Sequence, residues 1–212
     1  IWYSSGKFVK TYFNIEPRVS GVYKFNDASS IKASYARTTQ NMHLLTFVAQ
    51  GTPFDRWTSS SNNIKPQIAD QFTLGYFRNF KDNTYEFSAE VYYKNMQNQI
   101  DFKDHAELQG YDVIDTELLV GKGRAYGLEL MVRKQTGRLT GWIGYTLAKS
   151  EKKIDGINQN RWYNAYQDRT HDISVVGIYE LNRKWTLSVA WIYYTGNAIS
   201  YPSGKYQIDG KD

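Results

Sequence analysis

The chain has no cysteine, which excludes disulfides and thiolate metal sites outright. Only three histidines occur in 212 residues, thin material for a metal centre or a proton relay. Long apolar runs are missing too. The longest comparable stretch is Val175-Val176-Gly177-Ile178-Tyr179, against about 20 residues for a membrane-crossing helix. Nor is there a block of Lys and Arg. The formal net charge of +5 is spread over interspersed acids and bases, so no nucleic-acid footprint exists and no nucleic-acid partner is expected. The opening residues Ile1-Trp2-Tyr3-Ser4-Ser5-Gly6-Lys7 lack the charged start, apolar stretch and cleavage site of an export signal. An exported protein needs one, so the start of the gene product is expected upstream.

What the chain does have is aromatic side chains: 16% of it, with 18 tyrosines and 6 tryptophans, against 41% hydrophobic residues overall. A soluble core buries aromatics beside aliphatics, whereas a barrel in lipid seats Tyr and Trp at headgroup level. Composition leaves both open. Periodicity decides more. In Tyr85-Glu86-Phe87-Ser88-Ala89-Glu90-Val91-Tyr92-Tyr93-Lys94, the odd positions form one face and Glu86, Ser88, Glu90, Tyr92 and Lys94 the other. A helix would scatter both sets, so this is a strand. Similar alternation around Val19–Phe25, Ile31–Tyr35, Phe72–Tyr76, Tyr126–Val132, Leu139–Leu147, Ile173–Leu181 and Trp185–Tyr193 gives eight strands.

The connections alternate in length. Asn26-Asp27-Ala28-Ser29, Lys81-Asp82-Asn83, Gln135-Thr136-Gly137 and Asn182-Arg183 carry tight-turn chemistry. Between these hairpins lie long polar segments around 40–66, 97–122 and 151–169. Segments of that size are uncommon in compact soluble domains. Short turns at one end and long loops at the other are the habit of outer-membrane barrels. The run Tyr85–Lys94 meets the roughly 9–11 residues that a tilted spanning strand needs. Its apolar face ends in Tyr at both limits, and Trp185 and Tyr193 repeat this on the last strand. Glu86, Glu90, Lys94, Glu129 and Arg133 suit a wet lumen. The fold class expected is therefore all-β: an antiparallel transmembrane barrel portion of about eight strands in four hairpins, with short periplasmic turns and long extracellular loops. A soluble β-sandwich shares the alternation and is the competing reading. Residues 1–212 are expected to be one part of a single barrel domain, because long extracellular loops place both chain ends on the outer side, unlike a closed bacterial barrel.

Several stretches resemble the barrel of TonB-dependent receptors. They are Glu16-Pro17-Arg18-Val19-Ser20 leading into the first hairpin, Asn63-Ile64-Lys65-Pro66-Gln67-Ile68-Ala69-Asp70-Gln71, Gly123-Arg124-Ala125-Tyr126-Gly127-Leu128-Glu129, Gln167-Asp168-Arg169-Thr170-His171-Asp172, and Tyr194-Thr195-Gly196-Asn197-Ala198-Ile199-Ser200-Tyr201-Pro202. Their order matches from about Asn14 onward, with the flavour of receptors from Bacteroidetes-type bacteria. The resemblance implies a plugged 22-stranded barrel in the outer membrane of a Gram-negative bacterium. It also implies energised uptake of a siderophore, cofactor, glycan or peptide, with outer-membrane lipid and the TonB complex as partners. TonB would act through a plug region outside this chain. A passive outer-membrane pore or a soluble β-sandwich binding module is the alternative function.

Candidate sites lie in the loops. Asp55, Arg56 and Trp57 in one, and Arg161, Trp162 and Tyr163 in another, put stacking faces beside hydrogen-bonding groups, a usual binding composition. The same tryptophans serve equally well to pack the loops onto the rim. His171 with Asp168 and Asp172 lacks a nucleophile, so no enzyme activity is expected; a polar network of Asp168, Arg169 and His171 is. Asp101, Asp104, His105 and Glu107 lack the spacing of an EF-hand and read as a solvated loop, with no metal and no cofactor expected.

Overall fold

The computed structural model describes residues 10–47, 54–103 and 118–198, with backbone only at 46, 47 and 54–56. Among the described residues eleven strands form: β1 Arg18–Asn26, β2 Ser29–Gln40, β3 Met42–Phe47, β4 Phe54–Ser59, β5 Gln67–Phe80, β6 Tyr85–Phe102, β7 Leu118–Lys134, β8 Leu139–Ile154, β9 Tyr163–Asn164, β10 His171–Asn182 and β11 Trp185–Tyr194. The main sheet has the order β1-β2-β5-β6-β7-β8-β10-β11, with β9 paired to β8; β3 and β4 form a separate hairpin. These eight path strands, all antiparallel and hairpin-linked in sequence, are the eight read from the sequence.

Local chemistry sets the short turns. Asn26 accepts the Ala28 amide through its side chain, at 2.9 Å, and turns β1 into β2. Lys81, Asp82 and Asn83 all have positive φ, of 48°, 52° and 64°, which Asn and Asp tolerate better than most residues. Gly137, at φ 96°, closes β7 onto β8, and Asn182 Oδ1 accepts the amides of Lys184 and Trp185 before β11.

Pairing register carries apolar side chains across one face of the sheet. One hydrogen-bonded row reads Val19, Tyr35, Phe72, Tyr93, Tyr126, Lys149. Two rows further toward the turns it reads Tyr23, Ile31, Tyr76, Ala89, Leu130, Tyr145, Ile173, Tyr193. The uppermost apolar residue is Val19 on β1, and on β11 it is Tyr193, which shares a row with Tyr23; the band thus slips four residues across the sheet. Such slippage is what strands tilted to a membrane require, because the band must stay level while hydrogen-bond rows climb.

This face is uncovered. Trp185 is 70% exposed and Val19 69%, and no second sheet packs over them among the described residues. A sandwich would bury these side chains. A single layer displaying Val, Leu, Ile, Trp and Tyr outward is a lipid-facing wall, since apolar surface left in water costs about 25 cal/mol per Å². The opposite face pairs Glu86 with Arg133 and Glu90 with Glu129, and carries Lys94, Lys32 and Ser34, although Val22, Trp142 and Ile192 are interspersed. It is the wetter, inner side.

All three long segments differ from the polar loops expected of them. Met42–Phe47 and Phe54–Ser59 pair as the β3–β4 hairpin, because His43 and Leu45 on one face find a small core. Strands β6, β7 and β8 run to 18, 17 and 16 residues, well past the membrane requirement of about 9–11. Their surplus stands at the long-loop end and carries the candidate site.

Candidate functional site

The long-loop end is knitted together by the tip of β6. Asn98, at φ 55°, makes a bulge between Gln97 and Gln99, after which successive residues serve opposite faces. Ile100 packs with Leu45 of the hairpin and Ile64 of the following segment; Phe102 and Leu118 lean on this cluster. Burying each such aliphatic contributes about 1.5–3 kcal/mol. On the other face Asp101 accepts from Lys152 Nζ at 3.2 Å and from Tyr163 Oη at 3.0 Å. One strand end thus clamps both loops, with oil on one side and an ion pair on the other.

Within the hairpin, His43 is 1% exposed. Its Nε2 lies 3.1 Å from Ser60 Oγ, while Nδ1 has no partner among the described residues. Burial pushes its pKa below the ordinary histidine value of 6.5. The folded hairpin therefore holds fewer protons than the unfolded one, so its stability rises with pH. That contribution is complete above pH 6.5 and declines as pH falls from there toward the lowered folded pKa. Hydrogen exchange at the β3 amides is expected to be faster at pH 5 than at pH 8, after correction for intrinsic exchange. His43→Gln should flatten the difference.

The candidate ligand residues fall into two separate places. Trp57 pairs with Leu44 on the hairpin's open face and is 60% exposed; Met42 is exposed there as well. Asp55 and Arg56 lie on β4 opposite Thr46 and Leu45, and their side chains lie outside the described residues. In the other loop, a 3-10 turn at Asn158–Asn160 leads into Arg161, which is exposed. Trp162 lies over the Arg124 guanidinium at 4.2 Å and the Lys122 ammonium at 6.0 Å. Arg124 is held by Glu151 at 2.8 Å. Tyr163 reaches Asp101. Trp57 thus offers a free face, while Trp162 and Tyr163 are engaged with the wall. Among the described residues no ring contact or hydrogen bond joins Trp57 to Trp162.

The polar residues near β10 have separate partners rather than forming one network. Asp168 accepts the Ser150 amide at 2.6 Å, Arg169 donates to Asn197 and lies over Tyr194, and His171 Nδ1 meets Tyr145 Oη at 2.9 Å. Asp104, His105 and Glu107 lie outside the described residues. Among the described residues no group of three or more His, Asp or Glu is placed to hold a metal. On the outward face above the aromatic row, Arg37 grips Asp70 with two bonds of 2.7 and 3.0 Å, and Tyr35 Oη adds a third of 2.7 Å. Sequence reading missed this trio, because its members are 33 and 35 residues apart and only the β2–β5 register unites them.

A single antiparallel layer with an apolar outer band, short turns at one end and folded loops at the other defines the wall of a membrane β-barrel. A family model described as TonB dependent receptor-like, beta-barrel matches residues 2–211, and the chain belongs to that family. It is a family of outer-membrane receptors and transporters rather than enzymes. No curated protein matches the chain.

Proposed function

We propose that residues 1–212 are wall and extracellular loops of one barrel domain in a receptor importing a nutrient ligand, a siderophore, cofactor, glycan or peptide. The inner-membrane TonB complex supplies the energy through a plug region outside this chain. The family match across residues 2–211 carries this reading. Ligand capture is assigned to the long-loop end, at Asp55, Arg56 and Trp57 on the hairpin and Arg161, Trp162 and Tyr163 in the later loop. The exposure of Trp57 supports the first group, since an unengaged indole is a ready stacking face. Arg161 supplies the charge of the second, with Trp162 and Tyr163 as its rigid support.

The test is uptake by cells carrying the intact receptor, offered iron chelates, cobalamin-like cofactors, oligosaccharides and peptides in turn. Transport of one class that stops on deleting TonB supports the reading; transport persisting without TonB points instead to a passive pore. With that nutrient in hand, Trp57→Ala and Arg161→Ala are each expected to weaken binding about fivefold or more. Unchanged affinity in both variants would reduce the loop residues to packing elements.

A further inference from the structure

We propose that the free edge of β4 takes up an extended peptide as an added strand, and that the nutrient captured at Trp57 is therefore a peptide. The inference rests on the proposed role of the long-loop end in ligand capture. Strands β3 and β4 form a two-stranded sheet of their own, and among the described residues no further strand pairs with either. A lone hairpin is marginally stable in water, and a third strand is what such a sheet lacks.

Register identifies the groups on offer. Ser60 donates its amide to the Asn41 carbonyl at 2.7 Å, which makes that pair a hydrogen-bonded one. Antiparallel pairs alternate in this respect. His43–Thr58 and Leu45–Arg56 therefore close inward, while the amides and carbonyls of Met42, Leu44, Trp57 and Ser59 turn outward. The Met42 carbonyl fixes the same phase, since it accepts Gln40 Nε2 from the flank at 2.6 Å. That bond also occupies the base of the β3 edge. On β4 the outward groups of Trp57 and Ser59 meet no partner among the described residues. Edges are ordinarily blunted by lysine, proline or a bulge. Phe54-Asp55-Arg56-Trp57-Thr58-Ser59 has neither residue, and its register with β3 is unbroken.

Two features select a peptide among the nutrient classes. Trp57 and Ser59 each present a donor and an acceptor, about 7 Å apart along the strand. That is the repeat of an extended polypeptide, and a corrin, a chelate or a sugar ring does not carry it. Side chains of a directly opposed pair share a face. A peptide residue opposite Trp57 thus lays its side chain along the exposed apolar group of Met42, Leu44 and Trp57. Alternate apolar residues suit that group, while the main-chain bonds accept any residue between them.

The intact receptor in detergent is titrated with the capped peptide Lys-Val-Thr-Val-Thr-Val-Lys and two N-methylated forms of it. With valine side chains on the Trp57 face, the valine amides point at β4 and the threonine amides point away. Methylating the valine nitrogens is expected to weaken binding about tenfold or more, and methylating the threonine nitrogens to leave it within about twofold. Ser59→Pro removes one outward donor without touching the β3–β4 ladder, and is expected to weaken binding about tenfold; Ser59→Ala should keep it. Hydrogen-exchange protection of the His43 and Thr58 amides verifies that the hairpin stays paired in both variants. Equal weakening by the two methylation patterns, or a Ser59→Pro receptor that binds like Ser59→Ala, would overturn the assignment. Receptor dimers that Ser59→Pro splits and the peptide leaves intact would also overturn it, by giving the edge to a second copy. TonB-dependent uptake of a sugar or chelate that the peptide does not inhibit would do so too, with the receptor reading intact. Peptide uptake that survives loss of TonB would instead sink the receptor reading and keep the edge.

Discussion

Leu130→Arg is expected to lower the unfolding free energy of the intact barrel in phospholipid vesicles by about 2–4 kcal/mol, whereas Glu129→Arg changes it by roughly 0.5 kcal/mol or less. The two residues are adjacent in β7 and differ only in the face they occupy. Leu130 pairs with Ala89 and Tyr145, midway between Tyr85 and Tyr93, the aromatic limits of the outward face of β6. A guanidinium there must enter hydrocarbon or drag water and headgroups inward. Glu129 faces the interior opposite Glu90, where an arginine meets water and replaces a like-charge neighbour with an opposite one. Denaturant unfolding followed by tryptophan fluorescence measures both. Equal penalties would mean that the two faces of β7 meet the same surroundings, and would remove the basis for a lipid-facing wall.

The strands were legible because lipid on one side and water on the other impose period two on the sequence, and nothing else competes with it along Tyr85–Lys94. The short turns were legible for a similar reason: left-handed backbone at Lys81, Asp82 and Asn83 narrows the residues that fit. Legibility fades where the chain leaves the membrane. Above the aromatic row the Asn98 bulge breaks the period, and Gln97, Asn98 and Gln99 show no alternation although the strand continues to Phe102. The β3–β4 hairpin was missed because Met42-His43-Leu44-Leu45 contains no polar–apolar alternation. Its burying face is marked by a histidine, and its counterparts Ile64 and Ile100 lie far along the chain.

The candidate site shows the same division. Sequence located Trp57 and Trp162 in different loops but held no information on what each touches. One is open and the other lies on Arg124, and that difference arises from β8 extending to Ile154 and pairing with β9. Lys122 and Lys153 drew no attention as isolated lysines. A register that starts at the Gly137 turn places them opposite each other.

Gly141→Ala is the second large effect, expected to destabilise the barrel by about 3 kcal/mol or more or to prevent its assembly. Gly141 has φ 147° in β8, a backbone that side chains rarely adopt. A Cβ there would strike the carbonyl oxygen of Val176 and come within 3.0 Å of Gly177 Cα. Both obstacles are backbone atoms of β10, so relief requires the β8–β10 ladder to part. Gly177 provides the internal control. It sits directly opposite Gly141 in the same ladder, yet a Cβ at Gly177 meets nothing within 4 Å. Gly177→Ala should therefore be neutral, or stabilising by a few tenths of a kcal/mol through a less flexible unfolded chain. The comparison separates two explanations of a paired glycine. If Gly141→Ala alone fails, close backbone approach fixes the residue; if both fail alike, the strands need glycine on both sides to bend, and the clash with Val176 is not the cause. Folded yield on refolding, read by the gel shift of the heated and unheated barrel, distinguishes these directly.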